Sequence, residues 1–233
     1  DIVKFAKNGA TVTTAAIKLA RAYTGRRKVA VCSDHAFFSY DDWFIGTTPC
    51  DRGVPDQVKQ LSLTFRFNNI QSLENLFAAD KDIAAVILEP ADGEEPNDGF
   101  LQQVGDVCRK NGAVFILDEM ITGFKWDVRG AQRTYNVISD LSTWGKGIAN
   151  GFSVCALTGK REIMNLGGIT EGQQKTFLVS STHGAETHSL TAMMATIREM
   201  VELDIIPDNH RRAHRLKTEL EQVIIRHKLT DFV

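Results

Sequence analysis

Two reactive side chains, Asp118 and Lys146, each follow a short apolar run of strand type. Asp118 comes directly after residues 114–117 (VFIL), and Lys146 follows a weaker run at 141–143, one strand further along the chain. In open α/β sheets, ligands bind outside the carboxyl ends of the strands. We therefore expect both side chains to face one crevice, where a carboxylate can hold a cation or a protonated ring nitrogen. A lysine there can act as a nucleophile once desolvation or a neighbouring cation promotes loss of its proton.

Both residues also have plainer interpretations. The Asp118-Glu119 pair is equally typical of a turn or a helix cap, and a lysine between two glycines is typical of a solvated loop. An apolar run that ends in Asp-Glu also resembles the Walker B element of nucleotide-binding α/β proteins. That interpretation requires G-x-x-x-x-G-K-[ST] upstream, and the sequence contains no such motif.

Two further segments have the chemistry of an anion site. Residues 8–11 (NGAT) open the first predicted helix, and the free N–H groups at a helix start commonly bind phosphate. A plain helix cap by Thr11 is the alternative interpretation. Thr182, in SSTHG, precedes another predicted helix and offers a second hydroxyl of this kind.

The remaining candidates concern metal binding and aromatic stacking. His183, Glu186 and His188 lack the H-E-x-x-H order, and histidines five residues apart do not share a helical face. We therefore predict no metal site. A cluster of rings is typical of a core, although one ring could instead lie over a planar cofactor; the cluster comprises Phe37, Phe38, Tyr40, Trp43 and Phe44.

The hydrophobic periodicity predicts alternating strands and helices. Strands are predicted at residues 28–32, 83–88 and 114–117, with weaker strands at 141–143 and 154–158. Helices are predicted at residues 11–23, 72–79, 100–110, 187–203 and 208–229. This alternation predicts an α/β fold with a mainly parallel central sheet flanked by helices.

The composition narrows the class of protein. The 233 residues are 43% hydrophobic and carry a net charge of −2, so we expect neither a dedicated nucleic-acid binder nor a membrane span. The four cysteines form no C-x-x-C pair, which indicates a reducing, cytoplasmic setting. The chain opens on Asp1 rather than Met, with no signal-like segment after it.

Five ordered motifs resemble the class III (fold-type I) pyridoxal-phosphate aminotransferases, in the branch related to glutamate-1-semialdehyde aminomutase. The most specific stretch is ILDEMITGF followed by STWGKGIANG, which is similar to the family's acidic element and its Schiff-base lysine loop. The other three motifs are KLARAYTGR, DDWFIGTT and SSTHGAETHSL. The resemblance covers essentially the whole chain.

The resemblance implies specific roles for the two reactive residues. Lys146 would hold the aldehyde of pyridoxal 5'-phosphate (PLP) as an imine, exchange it for the substrate amine, and then move a proton to and from the substrate carbon. Asp118 would pair with the protonated pyridine nitrogen and so make the ring an electron sink. The implied function is amino-group transfer between an amino donor and a carbonyl acceptor, or within one molecule as an aminomutase.

The same resemblance implies how the cofactor ring would be held. Phe37 would cover one face, although Asp34-His35-Ala36-Phe37-Phe38 lacks the family's Tyr-His-Gly and leaves the choice between Phe37 and Phe38 open. Met120 would cover the other face, at a position where the family commonly has valine. Glu89 matches a family glutamate near the O3' side of the ring.

The phosphate would be held at the first helix. Gly9 and Ala10 would offer backbone N–H groups, while Thr11 could supply the hydroxyl that the family usually has at the position of Ala10. In this family the position of Thr182 reaches the phosphate in the partner subunit, which implies a homodimer with shared sites.

The resemblance also implies a domain arrangement. Residues 1–203 would be a PLP-binding large domain without its amino-terminal part, and residues 204–233 a helix leading towards a missing small domain. A non-catalytic cofactor domain or dimerisation module is therefore the alternative function. The substrate, and the choice between mutase and transaminase, stay open at this point.

Overall fold

The computed structural model describes residues 2–35, 37–168, 176–177, 182–230 and 232. Its centre is one seven-stranded sheet with the strand order β1-β7-β6-β5-β4-β2-β3. The strands are β1 (Ile2–Ala6), β2 (Lys28–Cys32), β3 (Ser62–Phe65), β4 (Ile83–Leu88), β5 (Val114–Asp118), β6 (Leu141–Trp144) and β7 (Cys155–Gly159). Five neighbouring strands, from β6 to β3, are parallel, and only β7 runs antiparallel to its two neighbours. The predicted α/β fold with a mainly parallel sheet is thus confirmed.

Long helices lie where the periodicity predicts them, with bounds that differ by up to three residues. They are α1 (Gly9–Thr24), α4 (Ile70–Ala79), α5 (Phe100–Asn111), α8 (Thr187–Glu202) and α9 (Ile205–Arg226). Four single-turn helices were not predicted: α2 (Asp42–Ile45), α3 (Asp56–Lys59), α6 (Ala131–Thr134) and α7 (Arg161–Met164). In the described part of the chain, none of the helices has the length and apolar character that crossing a bilayer requires.

Helices cover both faces of the sheet. On one face α1 packs against the central strands through a cluster that includes Ile17, Val31 and Ile116. On the other face α4 and α5 pack through Leu73, Val104 and Phe115. All six residues of β4 are buried, as expected for a central parallel strand covered on both faces.

This topology brings several loops to one edge of the sheet. Because β7 is antiparallel to both β1 and β6, the edge strand β1 runs in the same direction as β5 and β6. The carboxyl ends of β1, β2, β4, β5 and β6 therefore meet at one edge. The start of α1 and the segments after the other four strands are placed there.

Candidate functional site

A cavity of about 500 Å³ opens at this edge of the sheet. It is lined by Asn8, Gly9, Ala10, Thr11, Phe37, Phe38, Tyr40, Asp41, Asp118, Met120, Lys146 and Cys155. Asp118 and Lys146 therefore face the same crevice, as their position after neighbouring strands predicts. Seven of the nine residues predicted to bind the cofactor line this cavity, and Glu89 and Thr182 do not.

Asp118 is the last residue of β5 and is 1% exposed. Its Oδ1 atom accepts hydrogen bonds from the Thr143 hydroxyl at 2.7 Å and from the Met120 backbone N–H at 3.0 Å. Burial raises the pKa of Asp118 to about 6, although these two hydrogen bonds and the Lys146 charge act to lower it. Among the described residues both bonds end on Oδ1, so Oδ2 is available to another donor in the cavity.

The neighbouring Glu119 has a different role from Asp118. Its buried carboxylate accepts hydrogen bonds from the Thr122 hydroxyl and from the backbone N–H groups of Ala131 and Gln132, at 2.9 and 2.8 Å. The last two are the first N–H groups of α6, which a carboxylate caps well. Glu119 therefore fixes the loop after β5, and the cap interpretation applies to Glu119 rather than to Asp118.

Lys146 begins a 3₁₀ turn that ends at Ile148, directly after β6 and Gly145. Its side chain is exposed to the cavity, and its φ of +43° is unusual for a residue other than glycine. A Cβ atom on Gly145 would lie 2.2 Å from Met120 Sδ and 2.7 Å from Cys155 Sγ. Gly145 is thus required because Met120 and Cys155 leave no room for a side chain at this position.

The start of α1 forms the opposite wall. Asn8 is the helix cap, because its Oδ1 accepts hydrogen bonds at 3.0 Å from the N–H and from the hydroxyl of Thr11. The alternative of a cap by Thr11 is therefore wrong, since the helix starts two residues earlier than predicted. No acidic residue occupies the first turn, and the N–H groups of Gly9 and Ala10 have no acceptor among the described residues.

The two candidate rings differ sharply in exposure. Phe37 is 55% exposed at the cavity, with its ring edge-on to Phe44 at 5.7 Å between centroids. Phe38 is 2% exposed and belongs to the core under α1. Met120 lies across the cavity, 9% exposed, against Gly9, where a Cβ would come within 3.1 Å of its terminal methyl.

Glu89 follows β4 and is buried beside the cavity. Its backbone N–H donates to His35 Nδ1 at 3.1 Å. Its Oε2 atom and His35 Nε2 are buried and have no hydrogen-bond partner in the part of the chain that the structure describes. Burial, with the nearby charges of Asp118 and Asp92, raises the pKa of Glu89 to about 8. Burial lowers the pKa of His35.

Thr182 is exposed near the start of α8. Close to it, Glu186 accepts from Lys7 and lies 2.6 Å from His183 Nδ1 and 3.5 Å from His188 Nε2. This arrangement ties α8 to the loop before α1. Within the described residues, no group of three His, Cys, Asp or Glu side chains could hold a metal ion.

The sequence analysis assigned no individual role to five residues of the site: Asn8, Tyr40, Asp41, Thr143 and Cys155. Thr143 could have been found, since it stands in the same register position of β6 as Asp118 in β5. Tyr40 was included only as a member of the aromatic cluster, and Asp41 only as part of a motif. Asn8 is the first residue of NGAT, where its cap chemistry is visible once the helix start is placed correctly.

The chain belongs to the aminotransferase class-III family, whose model matches residues 1–231. It is 37% identical over 179 residues to the glutamate-1-semialdehyde 2,1-aminomutase of Desulforamulus reducens, covering 71% of this chain and 41% of that protein. It is 32% identical to the 3-aminobutyryl-CoA aminotransferase of Cloacimonas acidaminovorans, covering 96% of this chain and 53% of that protein.

Solved structures agree with this assignment. The PLP internal aldimine form of the FumI protein from Sphingopyxis sp. MTA144 superposes with a TM-score of 0.83 at 27% identity. That match covers 98% of this chain and 54% of the FumI chain. The chain spans about half the length of the curated relatives it matches.

Proposed function

We propose that the cavity binds PLP and that the protein transfers amino groups between an amine and a carbonyl compound. The observation that carries this proposal is that Asp118 and Lys146 line one cavity from neighbouring strands, opposite a helix start. An acid and an amine that line one cavity of about 500 Å³ suit a flat, charged cofactor.

The phosphate fits the start of α1. Gly9 and Ala10 offer two N–H groups that have no acceptor within the described ranges, and the first turn contains no acidic side chain that would repel an anion. Thr11 adds a hydroxyl on the cavity wall, although in the described structure it donates to Asn8. Lys146 adds a positive charge to the same cavity.

The ring fits between Phe37 and Met120. We assign the stacking role to Phe37 rather than Phe38, because the Phe37 ring is exposed at the cavity and Phe38 is buried in the core. Asp118 Oδ2 would accept from the pyridine N–H. Glu89, which carries a proton at neutral pH because its pKa is about 8, would stand as a hydrogen-bond donor near the O3' side.

PLP supplies an electron sink that stabilises negative charge on the carbon next to the bound nitrogen. Lys146 Nζ would hold the cofactor at its aldehyde group and, once free, would carry a proton to and from the substrate carbon. Asp118 has a pKa of about 6 and is therefore mostly ionised at pH 7, so it would keep the ring nitrogen protonated. Thr143 and the Met120 N–H would hold that carboxylate in place.

Borohydride trapping tests the proposal. The purified chain with PLP should develop a visible absorbance band, and borohydride should fix the cofactor on the peptide that contains Lys146. Lys146→Ala should abolish the fixed product, whereas Lys125→Ala, which changes a lysine outside the cavity, should not. Equal trapping by parent and Lys146→Ala would overturn the assignment of Lys146.

Amino donors then distinguish an enzyme from a non-catalytic module. Conversion of bound PLP to the pyridoxamine form by any donor would establish turnover. Binding and trapping of PLP without conversion would favour the alternative, a cofactor domain or dimerisation module. Because the relatives include both a mutase and a transaminase, glutamate-1-semialdehyde and simple amino acids belong in the first set of donors.

A homodimer is part of the same proposal. Thr182 is exposed and lies four residues before Glu186, which pairs with Lys7 in the loop before α1. From this position its hydroxyl would reach the phosphate of a partner subunit. Sedimentation should show a dimer, and Thr182→Val should weaken PLP binding without changing the folded fraction. A monomer that binds PLP as tightly as a dimer would contradict this part.

Two further expectations from the sequence stand as proposals. We assign residues 1–203 to the cofactor domain and propose that α9 leads towards a small domain. The exposed Leu216, Leu220 and Val223 of α9 support this, since such a stripe usually packs against another element. A cytoplasmic location is supported by the four cysteines, all of them free.

A further inference from the structure

A hydrogen-bonded network ties the aromatic segment 37–44 to helix α1. The Trp43 indole N–H donates to the Thr14 hydroxyl at 2.7 Å, and that hydroxyl donates to Asp41 Oδ2. The Ser39 hydroxyl donates to the same oxygen at 3.1 Å. Thr14 belongs to α1, whereas the other three residues belong to the aromatic segment, so Asp41 joins the two elements.

Asp41 binds the Thr14 hydroxyl of α1 instead of capping α2, the role that its position at the start of α2 favours. It is the cap residue of α2, where an aspartate normally accepts from the N–H groups of the first turn. Its side chain makes no cap hydrogen bond and turns towards α1. The carboxylate also lines the cavity that contains Phe37. A carboxylate that accepts from two hydroxyls forms charge-assisted hydrogen bonds, which are stronger than neutral ones.

The exposed ring of Phe37 depends on its own segment for its position. Its described ring contact is with Phe44, at the far end of the segment that Asp41 ties down. A second bond, from the Thr13 hydroxyl to the Phe38 carbonyl at 2.9 Å, holds the next residue to α1. If Asp41 no longer accepts from Thr14 and Ser39, the segment keeps only neutral hydrogen bonds to α1 among the described residues: from Thr13 to the Phe38 carbonyl, and between Thr14 and the side chains of Ser39 and Trp43.

We propose that Asp41 is a positioning residue that aims Phe37 at the cofactor ring. This proposal rests on the proposed PLP site. Asp41 would contribute to cofactor affinity only by positioning the Phe37 ring, so its contribution would disappear in a variant that lacks this ring.

A double-mutant cycle on PLP binding tests the claim. The variants are Asp41→Ala, Phe37→Ala and the pair, with Asp42→Ala as the matched control, since that neighbouring carboxylate makes no hydrogen bond among the described residues. We expect Asp41→Ala to raise the PLP dissociation constant about threefold to tenfold, the worth of an aromatic contact. In the Phe37→Ala background the same change should have almost no effect.

Two further measurements separate positioning from folding. Asp41→Asn keeps an oxygen that accepts from both hydroxyls, so it should restore most of the affinity. The visible circular dichroism of bound PLP should weaken in Asp41→Ala and stay unchanged in Asp42→Ala. If Asp41→Ala does not fold, Thr14→Val breaks the same link from the side of α1, and the cycle is repeated with it.

The outcomes decide separately on the two proposals. Equal losses of affinity from Asp41→Ala in both backgrounds, or a loss no larger than that of Asp42→Ala, would overturn the positioning role. A parent chain that binds no PLP would instead overturn the proposed function.

Discussion

The Thr143 hydroxyl donates a 2.7 Å hydrogen bond to Oδ1 of Asp118, and the two residues are direct partners in the register of β5 and β6. The parallel pairing of two strands therefore sets the orientation of the carboxylate. The hydrogen bonds from Thr143 and from the Met120 N–H both end on Oδ1, and Asp118 lines the cavity that also contains Lys146. The strand that leads to the lysine is thus the strand that orients the acid.

Thr143→Val should raise the pKa of Asp118 above its present value of about 6, because it removes a hydrogen bond that favours the ionised carboxylate. The carboxyl carbon of Asp118 can be followed by NMR across a pH titration. Thr143→Ser keeps the hydroxyl and should leave the titration nearly unchanged. An unaltered midpoint in Thr143→Val would show that the Thr143 hydroxyl does not contribute to this pKa.

Gly145→Ala should destabilise the chain by about 1–3 kcal/mol, the usual cost of overpacking a filled site. The added methyl would lie 2.2 Å from Met120 Sδ and would force the segment before Lys146 to move. Gly147→Ala is the matched control, since its Cβ would meet its nearest atom at 3.5 Å. Urea unfolding compares the two, and equal stabilities would refute the packing argument.

Glu119→Ala should cost about 2 kcal/mol or more, because two buried donors and one half-buried donor lose their acceptor and each unsatisfied buried group costs about 1–3 kcal/mol. Glu74→Ala, on the exposed face of α4, should change stability by less than about 0.5 kcal/mol. Asp118→Asn should instead weaken PLP binding strongly. Loss of PLP affinity in a fully folded Glu119 variant would contradict this division of roles.

Glu89→Gln should change how stability depends on pH. Between pH 4.5 and about 8 the folded chain keeps a proton on Glu89 that the unfolded chain releases. The free energy of unfolding of the parent should therefore fall as pH rises through this window, and glutamine removes that contribution.

His35, whose pKa is lowered by burial, acts in the opposite direction below pH 6.5 in both proteins. The informative quantity is therefore the difference between the two curves, measured by urea unfolding at several pH values. Parallel curves for parent and Glu89→Gln would mean that Glu89 ionises normally in the folded chain.

The parts of the fold that local patterns encode were predictable. The continuous apolar runs of β4 and β5 indicate buried parallel strands, and the positions of Asp118 and Lys146 after neighbouring strands follow from that topology. The resemblance added the roles of these residues, which no spacing argument supplies.

The parts that depend on distant pairing were not predictable. Strand β1 mixes the exposed Val3 with a lysine, and its strand partner among the described residues is β7, at residues 155–159. The sequence of β1 (IVKFA) contains no signal that identifies β7 as its partner. Because the sequence analysis does not predict β1, it identifies the start of α1 as an anion site but does not place that site beside Asp118.

The late position of β7 also constrains the order in which the chain can fold. Strand β1 leads directly into α1, and among the described residues its strand partner is β7, so β1 cannot pair until residues 155–159 exist. Helix α1 also packs directly on the central strands, including β2 and β5, which precede β7 in the chain. Closing the long loop between β1 and β7 is a slow, non-local step, so β1 joins the sheet after every strand from β2 to β6 has been synthesised.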